Sequence, residues 1–178
     1  MPPPQSIPNN DTTISIQYPY VFIGDEAFPL LPNLMRPYPG RNTGLLPPEK
    51  QAYNYRLSRA RRVVENAFGI LASRWRIYRR PIHASKITVL AIIKATVVLH
   101  NWLREKKLAE YVSPDLVDSD VRGVYRPGRW RNERNDGIQP IQRVGSNNAS
   151  RNAKEIRDLF KSYFNEVDIL PWQYKSNH

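Results

Sequence analysis

The stretch YRLSRARRVVENAFGILASRWR, at residues 55–76, decides the fold of this chain. Its apolar residues recur at steps of three and four positions, which predicts an α-helix with one apolar stripe. We expect the helix to begin after Pro47-Pro48, because proline is tolerated in a first helical turn. Glu65 is the only acidic residue of the stretch and lies on the flank of the stripe, where a carboxylate can be held rigidly and still reach a metal. The stripe comprises Leu57, Ala60, Val64, Phe68, Leu71 and Trp75.

A second carboxylate, Asp25, ends the apolar run Tyr20–Gly24, which predicts a β-strand. A carboxylate at a strand end and another on a basic helix are what a metal-dependent site that cuts phosphodiester bonds needs. The alternative is that Asp25 starts a turn and that Glu65 is a counter-ion for Arg61 and Arg62. The residues alone leave both interpretations open.

The composition favours polyanionic partners. The chain has 27 Lys and Arg against 16 Asp and Glu, a formal net charge of +11, which favours nucleic acid first and an acidic membrane second. The absence of cysteine excludes disulfides and thiolate zinc sites. The longest apolar stretch, Ile87–Leu99, is interrupted by Lys94, and we interpret it as a buried helix too short to span a bilayer. The first residues are not typical of a signal peptide, and we expect no membrane partner.

Local pattern divides the chain into four parts. Residues 1–17 are expected to form a flexible arm, and residues 18–111 hold the predicted strand and two long helices. The second of these helices is predicted near Ser85–Lys107, with Ser85 as its cap. Residues 112–149 show neither a helical nor a strand period and are expected to form a mobile connector. Residues 150–178 are predicted to hold a helix near Ala153–Phe164 and a tail.

The core of the second helix is expected to include Ile87, Leu90, Val97, Val98 and Leu99. His100 follows them. A lone histidine on a largely apolar helix is more often hydrogen-bonded in the core than catalytic, so we leave it out of the site.

Several segments, in this order, resemble the C-terminal half of the Harbinger (PIF-type) transposases and the host nucleases derived from them. They are GDEAFPL at residues 24–30, the central stretch at residues 55–76, and LHN at residues 99–101. The ending, with YF at residues 163–164 and PWQ at residues 171–173, is similar too. The similarity covers about residues 18–107 plus the final helix.

The resemblance implies a ribonuclease-H-like α/β fold whose Asp, Asp, Glu triad binds a divalent metal cation, Mg or Mn. Asp25 resembles the second aspartate and Glu65 the glutamate, while Glu26 projects to the opposite face of the strand end. The implied substrate is DNA, with a possible Myb-like DNA-binding partner protein and no small-molecule substrate. Residence in the nucleus is expected from the basic charge of the chain.

The first aspartate is expected on a strand upstream of Asp25. Asp11 is the only earlier acid, but it has no apolar neighbours and is too close to Asp25. The chain is therefore expected to be a truncated member, dominated by three helices with at most one well-formed strand. Its helices would then expose apolar stripes that the absent sheet would cover.

Three functions follow. The first is a DNA nuclease that lacks its first catalytic aspartate and is inactive alone. The second is a non-catalytic derivative that binds DNA or a partner, and the third is a non-functional gene fragment. Five arginines are predicted to contact phosphates, namely Arg56, Arg59, Arg62, Arg74 and Arg76.

Overall fold

Three α-helices provide most of the regular structure: α1, Pro48–Arg74; α2, Lys86–Glu105; and α3, Arg151–Ser162. The computed structural model describes residues 2–7, 16–40, 46–106, 111–133, 142, 144–145 and 148–174. The expectation of three helices is confirmed within these residues. The chain divides into two compact units, the first of residues 1–61 with 141–178 and the second of residues 62–140.

The helix ends follow from local chemistry. The N–H of Gln51 donates to the Pro47 carbonyl at 3.1 Å, so α1 begins at the predicted proline pair. Ser85 caps α2 as predicted, because its hydroxyl accepts from the Thr88 N–H at 3.2 Å. Ser150 caps α3 in the same way, through the Ala153 N–H at 3.2 Å. A π-helical turn, Tyr163–Val167, follows α3.

The strands are more numerous than predicted and very short. The described residues contain β1, Gln5–Ile7; β2, Ile16–Tyr18; β3, Phe22–Ile23; β4, Leu34–Met35; β5, Ser119–Val121; and β6, Val124–Arg126. They form three two-stranded sheets: β1 with β2 antiparallel, β3 with β4 parallel, and β5 with β6 antiparallel. More strands form than the single well-formed one predicted, but each has only two or three residues, and β3 lies inside the predicted run Tyr20–Gly24. The molecule is helix-rich with few short strands.

Two segments predicted to lack regular structure contain some. The expected flexible arm, residues 1–17, contributes β1 and part of β2. The expected connector, residues 112–149, holds the β5–β6 hairpin between two 3-10 turns, Pro114–Leu116 and Arg129–Asn132. Arg122 and Gly123 join the two strands with φ values of 54° and 84°. Such a two-residue turn needs positive φ at both positions, which glycine supplies without strain.

The core of the first unit combines aliphatic residues with two tyrosines. Its buried residues are Leu30, Met35, Tyr38, Tyr53, Leu57 and Ala153, so it joins the segment after β3 to the start of α1 and to α3. The Tyr38 ring meets the Tyr53 ring edge-on at 5.2 Å between centroids, and its hydroxyl donates to Asp158 on α3. Burial raises the pKa of both tyrosines, so both phenols stay protonated at neutral pH.

In the second unit, α2 is mostly exposed, which corrects the interpretation of Ile87–Leu99 as a buried helix. Thr96 is its only buried residue, whereas Ile87 is 82% exposed and Val98 is 66% exposed. Leu90, Val97 and Leu99, also expected in the core, are 46%, 39% and 44% exposed. Among the described residues, little packs against α2. The helix is therefore exposed despite its apolar composition.

The bounds of α2 agree with the helix predicted near Ser85–Lys107. With 20 residues and a mean hydropathy of 1.4, it is long and apolar enough to cross a membrane. The apolar run Ile87–Leu99 alone remains too short to span a bilayer, whereas the whole helix is long enough. Length and composition are weak evidence, because the core helix of a soluble protein passes the same test.

Candidate functional site

Asp25 follows β3, where the chain turns away from the strand. The N–H of Gly24 still donates to the Met35 carbonyl at 2.9 Å, which ends the parallel pairing with β4. The next residue, Asp25, accepts from the Ala27 N–H through Oδ1 at 2.9 Å, so its carboxylate closes a turn. Its Oδ2 lies 3.5 Å from Arg61 Nη2, and 41% of the side chain remains exposed. Asp25 is therefore a half-exposed carboxylate of fixed orientation in the first unit.

Glu65 lies on the part of α1 that belongs to the second unit. Its Oε2 accepts from Arg131 Nη2 at 2.7 Å, and its side chain is 35% exposed. One counter-ion of Glu65 is thus Arg131, far along the chain. The prediction that Asp25 and Glu65 converge on one metal site stays a prediction, because the two residues belong to different units.

Arg131 is held by Asp118, whose side chain is fully buried. Arg131 Nε lies 2.9 Å from both carboxylate oxygens of Asp118, and Nη2 donates to Oδ2. The Gly128 N–H also donates to Asp118, at 2.7 Å. Burial by itself would raise the pKa of Asp118, but the hydrogen bonds from Arg131 and Gly128 outweigh it and lower the pKa. Asp118 in turn raises the pKa of Arg131, so this pair stays ionised.

Asn66 and Gly69 fix the segment that carries Asp118 and Arg131 against α1. The Asn66 amide accepts from the Asp118 N–H at 2.9 Å and donates to the Asp118 carbonyl at 3.3 Å. Its oxygen also accepts from Trp130 Nε1 at 2.9 Å. A Cβ added at Gly69 would lie 2.2 Å from Trp130 Cδ2, so only glycine lets the indole come this close. We call Asn66, Gly69, Asp118, Trp130 and Arg131 the Glu65 cluster.

The apolar stripe predicted on α1 is only partly buried. Leu57 is buried in the first unit, but Val64 and Phe68 are 56% and 58% exposed. The side of α1 that packs in the second unit is the one with Asn66 and Gly69, which a hydrophobic period does not mark. The stripe prediction is therefore wrong for the middle of the helix.

Of the five arginines predicted to contact phosphates, the three on the earlier turns of α1 each have a charged or aromatic partner inside their unit. Arg56 forms an ion pair with Asp168 and lies over the Phe164 ring at 4.7 Å. Arg62 lies 2.7 Å from the carboxylate of Asp120, where the two side chains are 13% and 5% exposed. The guanidinium of Arg59 lies 5.8 Å from the Trp172 ring.

The other two arginines lie near the C-terminal end of α1. Arg74 is exposed and donates through Nε to the Tyr111 carbonyl at 2.7 Å, while Arg76 is exposed in the 3-10 turn Arg76–Arg79. Both line a largely apolar cleft of about 520 Å³. The other lining residues are Trp75, Ile77, Ile92, Ala95, Thr96 and Leu99. Basic and aromatic side chains together are typical of surfaces that bind single-stranded nucleic acid, but the cleft itself is lined mainly by aliphatic groups.

His100 is hydrogen-bonded on α2, as expected. Its Nδ1 lies 2.7 Å from the Tyr111 hydroxyl, which also accepts from Trp75 Nε1 at 3.2 Å. Burial, and then the charge of Arg104, lower the pKa of His100, so the ring is neutral at physiological pH. The prediction that His100 is hydrogen-bonded is confirmed.

The donor chemistry of Asp25 and Glu65 fits a hard divalent cation, because carboxylate oxygens are the ligands that Mg²⁺ prefers. The ligand set is incomplete, however. In the part of the chain that the structure describes, no group of three His, Cys, Asp or Glu side chains could hold a metal ion. Asp11, weighed as the first aspartate, lies outside the described residues. A metal at these carboxylates would therefore need further ligands.

The sequence prediction missed the Glu65 cluster. Asp118, Trp130 and Arg131 lie in a segment without a period, and their contacts with α1 join positions more than 50 residues apart. The available signal is the run Gly128-Arg129-Trp130-Arg131, where a tryptophan between two arginines in a polar segment needs a packing partner.

Comparison with known families places these residues in context. Residues 9–101 match the family described as DDE superfamily endonuclease, a range that includes both Asp25 and Glu65. Comparisons with curated proteins and with solved structures gave no match. Endonucleases of this superfamily act on DNA and generally use divalent metal ions. Since the matched range is more than half of the 178 residues, the chain belongs to the DDE superfamily endonucleases.

Proposed function

We propose that the chain is the C-terminal catalytic portion of a Harbinger-type, transposase-derived DNA nuclease that depends on a divalent metal cation. The observation that carries this proposal is the family match over residues 9–101, together with the positions of Asp25 and Glu65 inside it. The family alone supports the nuclease class. The Harbinger type rests on the resemblance of residues 24–30, 55–76 and 99–101.

In this proposal, Asp25 and Glu65 are two of the carboxylates that hold Mg or Mn. When bound, the metal supplies a Lewis acid for phosphodiester hydrolysis. The chain's own contribution is to fix the orientation of the ligands: the turn to the Ala27 N–H holds Asp25, and Arg131 holds Glu65. Fixed charges that need no rearrangement during the reaction stabilise a transition state best.

The proposed substrate is DNA, and the proposed location is the nucleus. The net charge of +11 supports binding to the phosphate backbone without sequence readout. A Myb-like partner protein that supplies site recognition belongs to the same proposal. Exposed Arg76 and the neighbouring Arg74 are the two predicted arginines whose positions best suit phosphate contacts.

We further infer that these 178 residues have no appreciable nuclease activity alone, because the described residues contain no group of three His, Cys, Asp or Glu side chains that could hold a metal ion. The test is nicking of supercoiled plasmid by the purified chain with Mg²⁺ or Mn²⁺, beside Asp25→Asn and Glu65→Gln. We expect relaxed plasmid at the level of the buffer control for all three proteins.

Nicking by the parent chain that disappears in both variants would contradict the inferred inactivity and support the nuclease assignment. Nicking that persists in both variants would contradict the assignment of Asp25 and Glu65. To test the nuclease assignment directly, an upstream segment with an aspartate after an apolar strand is added to the chain. Nicking should then appear and should depend on Glu65.

The second candidate is a non-catalytic derivative that binds DNA or a partner. The observation in its favour is that both candidate carboxylates contact arginine, Asp25 with Arg61 and Glu65 with Arg131. DNA binding that is unaffected by Glu65→Gln and by removal of divalent ions, with no nicking by the extended chain, would favour it.

A further inference from the structure

Arg131 connects two carboxylates of very different exposure. On one side it contacts Asp118, whose side chain is fully buried, and on the other it contacts Glu65, which is 35% exposed. The Arg131 side chain is 32% exposed, and its guanidinium lies 4.4 Å from the Trp130 ring. A guanidinium with these contacts has one orientation, because its planar fork and its stacking face are both engaged.

The N–H groups of the Arg131 guanidinium are divided between the two carboxylates. The Nε–H and one Nη2 hydrogen are directed to Asp118, in a bidentate arrangement. The second Nη2 hydrogen is directed to Glu65 Oε2 at 2.7 Å. The same nitrogen therefore bridges the two carboxylates, and a lysine ammonium at this position could not reproduce the planar fork.

The charges explain why a buried acid accompanies the arginine. An arginine alone beside Glu65 would cancel its negative charge and disfavour a cation there. Asp118 compensates the charge of Arg131, so the three groups together keep a net charge of −1. Arg131 can then fix the direction of the Glu65 carboxylate while the site keeps its attraction for a metal ion.

We propose that Arg131, oriented by Asp118, is the positioning residue of Glu65 for cation binding. This rests on the proposed function, in which Glu65 is a metal ligand. A glutamate side chain has three rotatable bonds, and fixing its carboxylate before the metal binds removes an entropic cost from binding. Hydrogen-bond partners of metal ligands generally act in this way, and their loss weakens metal affinity by about 10–100-fold.

The experiment uses Tb³⁺, a hard cation that takes oxygen ligands, added to the purified 178-residue chain. Indole sensitises Tb³⁺ luminescence, and Trp130 lies against the arginine that contacts Glu65, so a bound ion near Glu65 gives a signal. The variants are Glu65→Gln, Arg131→Gln, Arg131→Lys and Asp118→Asn. Arg79→Gln is the matched control, because Arg79 also forms an ion pair with a glutamate, Glu133, in the same unit. Circular dichroism verifies that each variant is folded.

We expect Arg131→Gln and Asp118→Asn to weaken Tb³⁺ affinity by about tenfold, without rescue by Arg131→Lys and without change in Arg79→Gln. The double variant Glu65→Gln with Arg131→Gln should bind no more weakly than Glu65→Gln alone, because both act through the same ligand. Unchanged or tighter binding by Arg131→Gln, when Glu65→Gln binds more weakly, would overturn the proposal.

A second measurement separates this proposal from the proposed function. If Glu65→Gln leaves Tb³⁺ affinity unchanged, Glu65 is not a metal ligand and the proposed function fails at this residue. In that case, urea unfolding without metal tests the positioning role. A double-mutant cycle of Glu65→Gln and Arg131→Lys gives the coupling free energy of the two side chains, first in the parent chain and then in the Asp118→Asn variant. Coupling that is lost with Asp118→Asn supports the orientation of Glu65 by the pair, and additive effects overturn it.

Discussion

The smallest feature with a large consequence is the missing side chain of Gly69. Within a helix, glycine is less favourable than alanine by roughly 1 kcal/mol, so Gly69→Ala would stabilise α1 if only helix propensity mattered. The indole of Trp130 makes the substitution unfavourable instead, because a Cβ at Gly69 would lie 2.2 Å from Trp130 Cδ2. The close approach of two elements therefore outweighs the intrinsic preference of the backbone.

We predict that Gly69→Ala lowers the free energy of unfolding by about 1–3 kcal/mol, the usual cost of overpacking. The measurement is urea unfolding followed by circular dichroism. Trp130→Ala provides the matched background, since it removes the ring that clashes. In that background Gly69→Ala should be neutral or stabilising. If the substitution costs the same in both backgrounds, the contact with Trp130 is not the reason for glycine.

At the same scale, the candidate site was predictable only in part. Asp25 and Glu65 stand out in the sequence because each is an acid at a defined place in a regular element. Arg131 and Asp118 do not, since their roles depend on contacts with α1 across more than 60 and 50 residues. Side-chain pairs at helical spacing can be read from a sequence, whereas pairs formed by tertiary packing cannot.

At the scale of elements, helix existence and helix caps were predictable, but burial was not. Ser85 and Pro47-Pro48 act within one helical turn, so their effect is local and visible in the sequence. The short strands β1, β2, β5 and β6 have too few residues to show an alternating pattern. The exposure of α2 depends on which elements pack against it, and an apolar stripe shows only that a helix has a side suited to burial.

Substitutions at an exposed and at a buried position of α2 test whether the two sides of the helix differ in burial. We predict that Val98→Lys, at a position that is 66% exposed, changes the free energy of unfolding by no more than about 0.5 kcal/mol. It should also reduce the binding of an apolar dye. Thr96→Lys is the control on the same helix, because Thr96 is 6% exposed and hydrogen-bonds to Tyr78 and the Ile92 carbonyl. Urea unfolding and dye fluorescence measure the two effects. Equal destabilisation by both substitutions would mean that the Val98 side is covered in solution.

At the scale of the whole molecule, the dominant property is the net charge of +11. It supports the proposed affinity for DNA, but it does not identify the residues that contact phosphates. The structure reduces the number of candidate phosphate-binding arginines, because Arg56 and Arg62 form ion pairs with Asp168 and Asp120. Exposed Arg76 lies in a turn whose described contacts leave it facing solvent.

We predict that Arg76→Ala lowers the slope of log affinity for duplex DNA against log salt by about one phosphate contact, or about 0.9. Arg62→Ala should leave the slope nearly unchanged and instead destabilise the fold, because it removes the ion pair with Asp120, whose side chain is only 5% exposed. Fluorescence anisotropy at several salt concentrations gives the slopes, and urea unfolding gives the stability. A lower slope with Arg62→Ala and no loss of stability would restore Arg62 as a phosphate contact.

The polar contacts between α1 and the segment 118–131 also determine an order of events. They join residues 52 and 64 positions apart, so forming them costs loop-closure entropy that the i→i+4 bonds of a helix do not. Asn66 and Gly69 lie on the same face of α1 only after that part of the chain is helical. We infer that the helix forms first and serves as the template on which the segment docks late in folding. The Glu65 carboxylate then acquires its orientation in the last steps, so a partly folded chain would already have the helix but not yet the site.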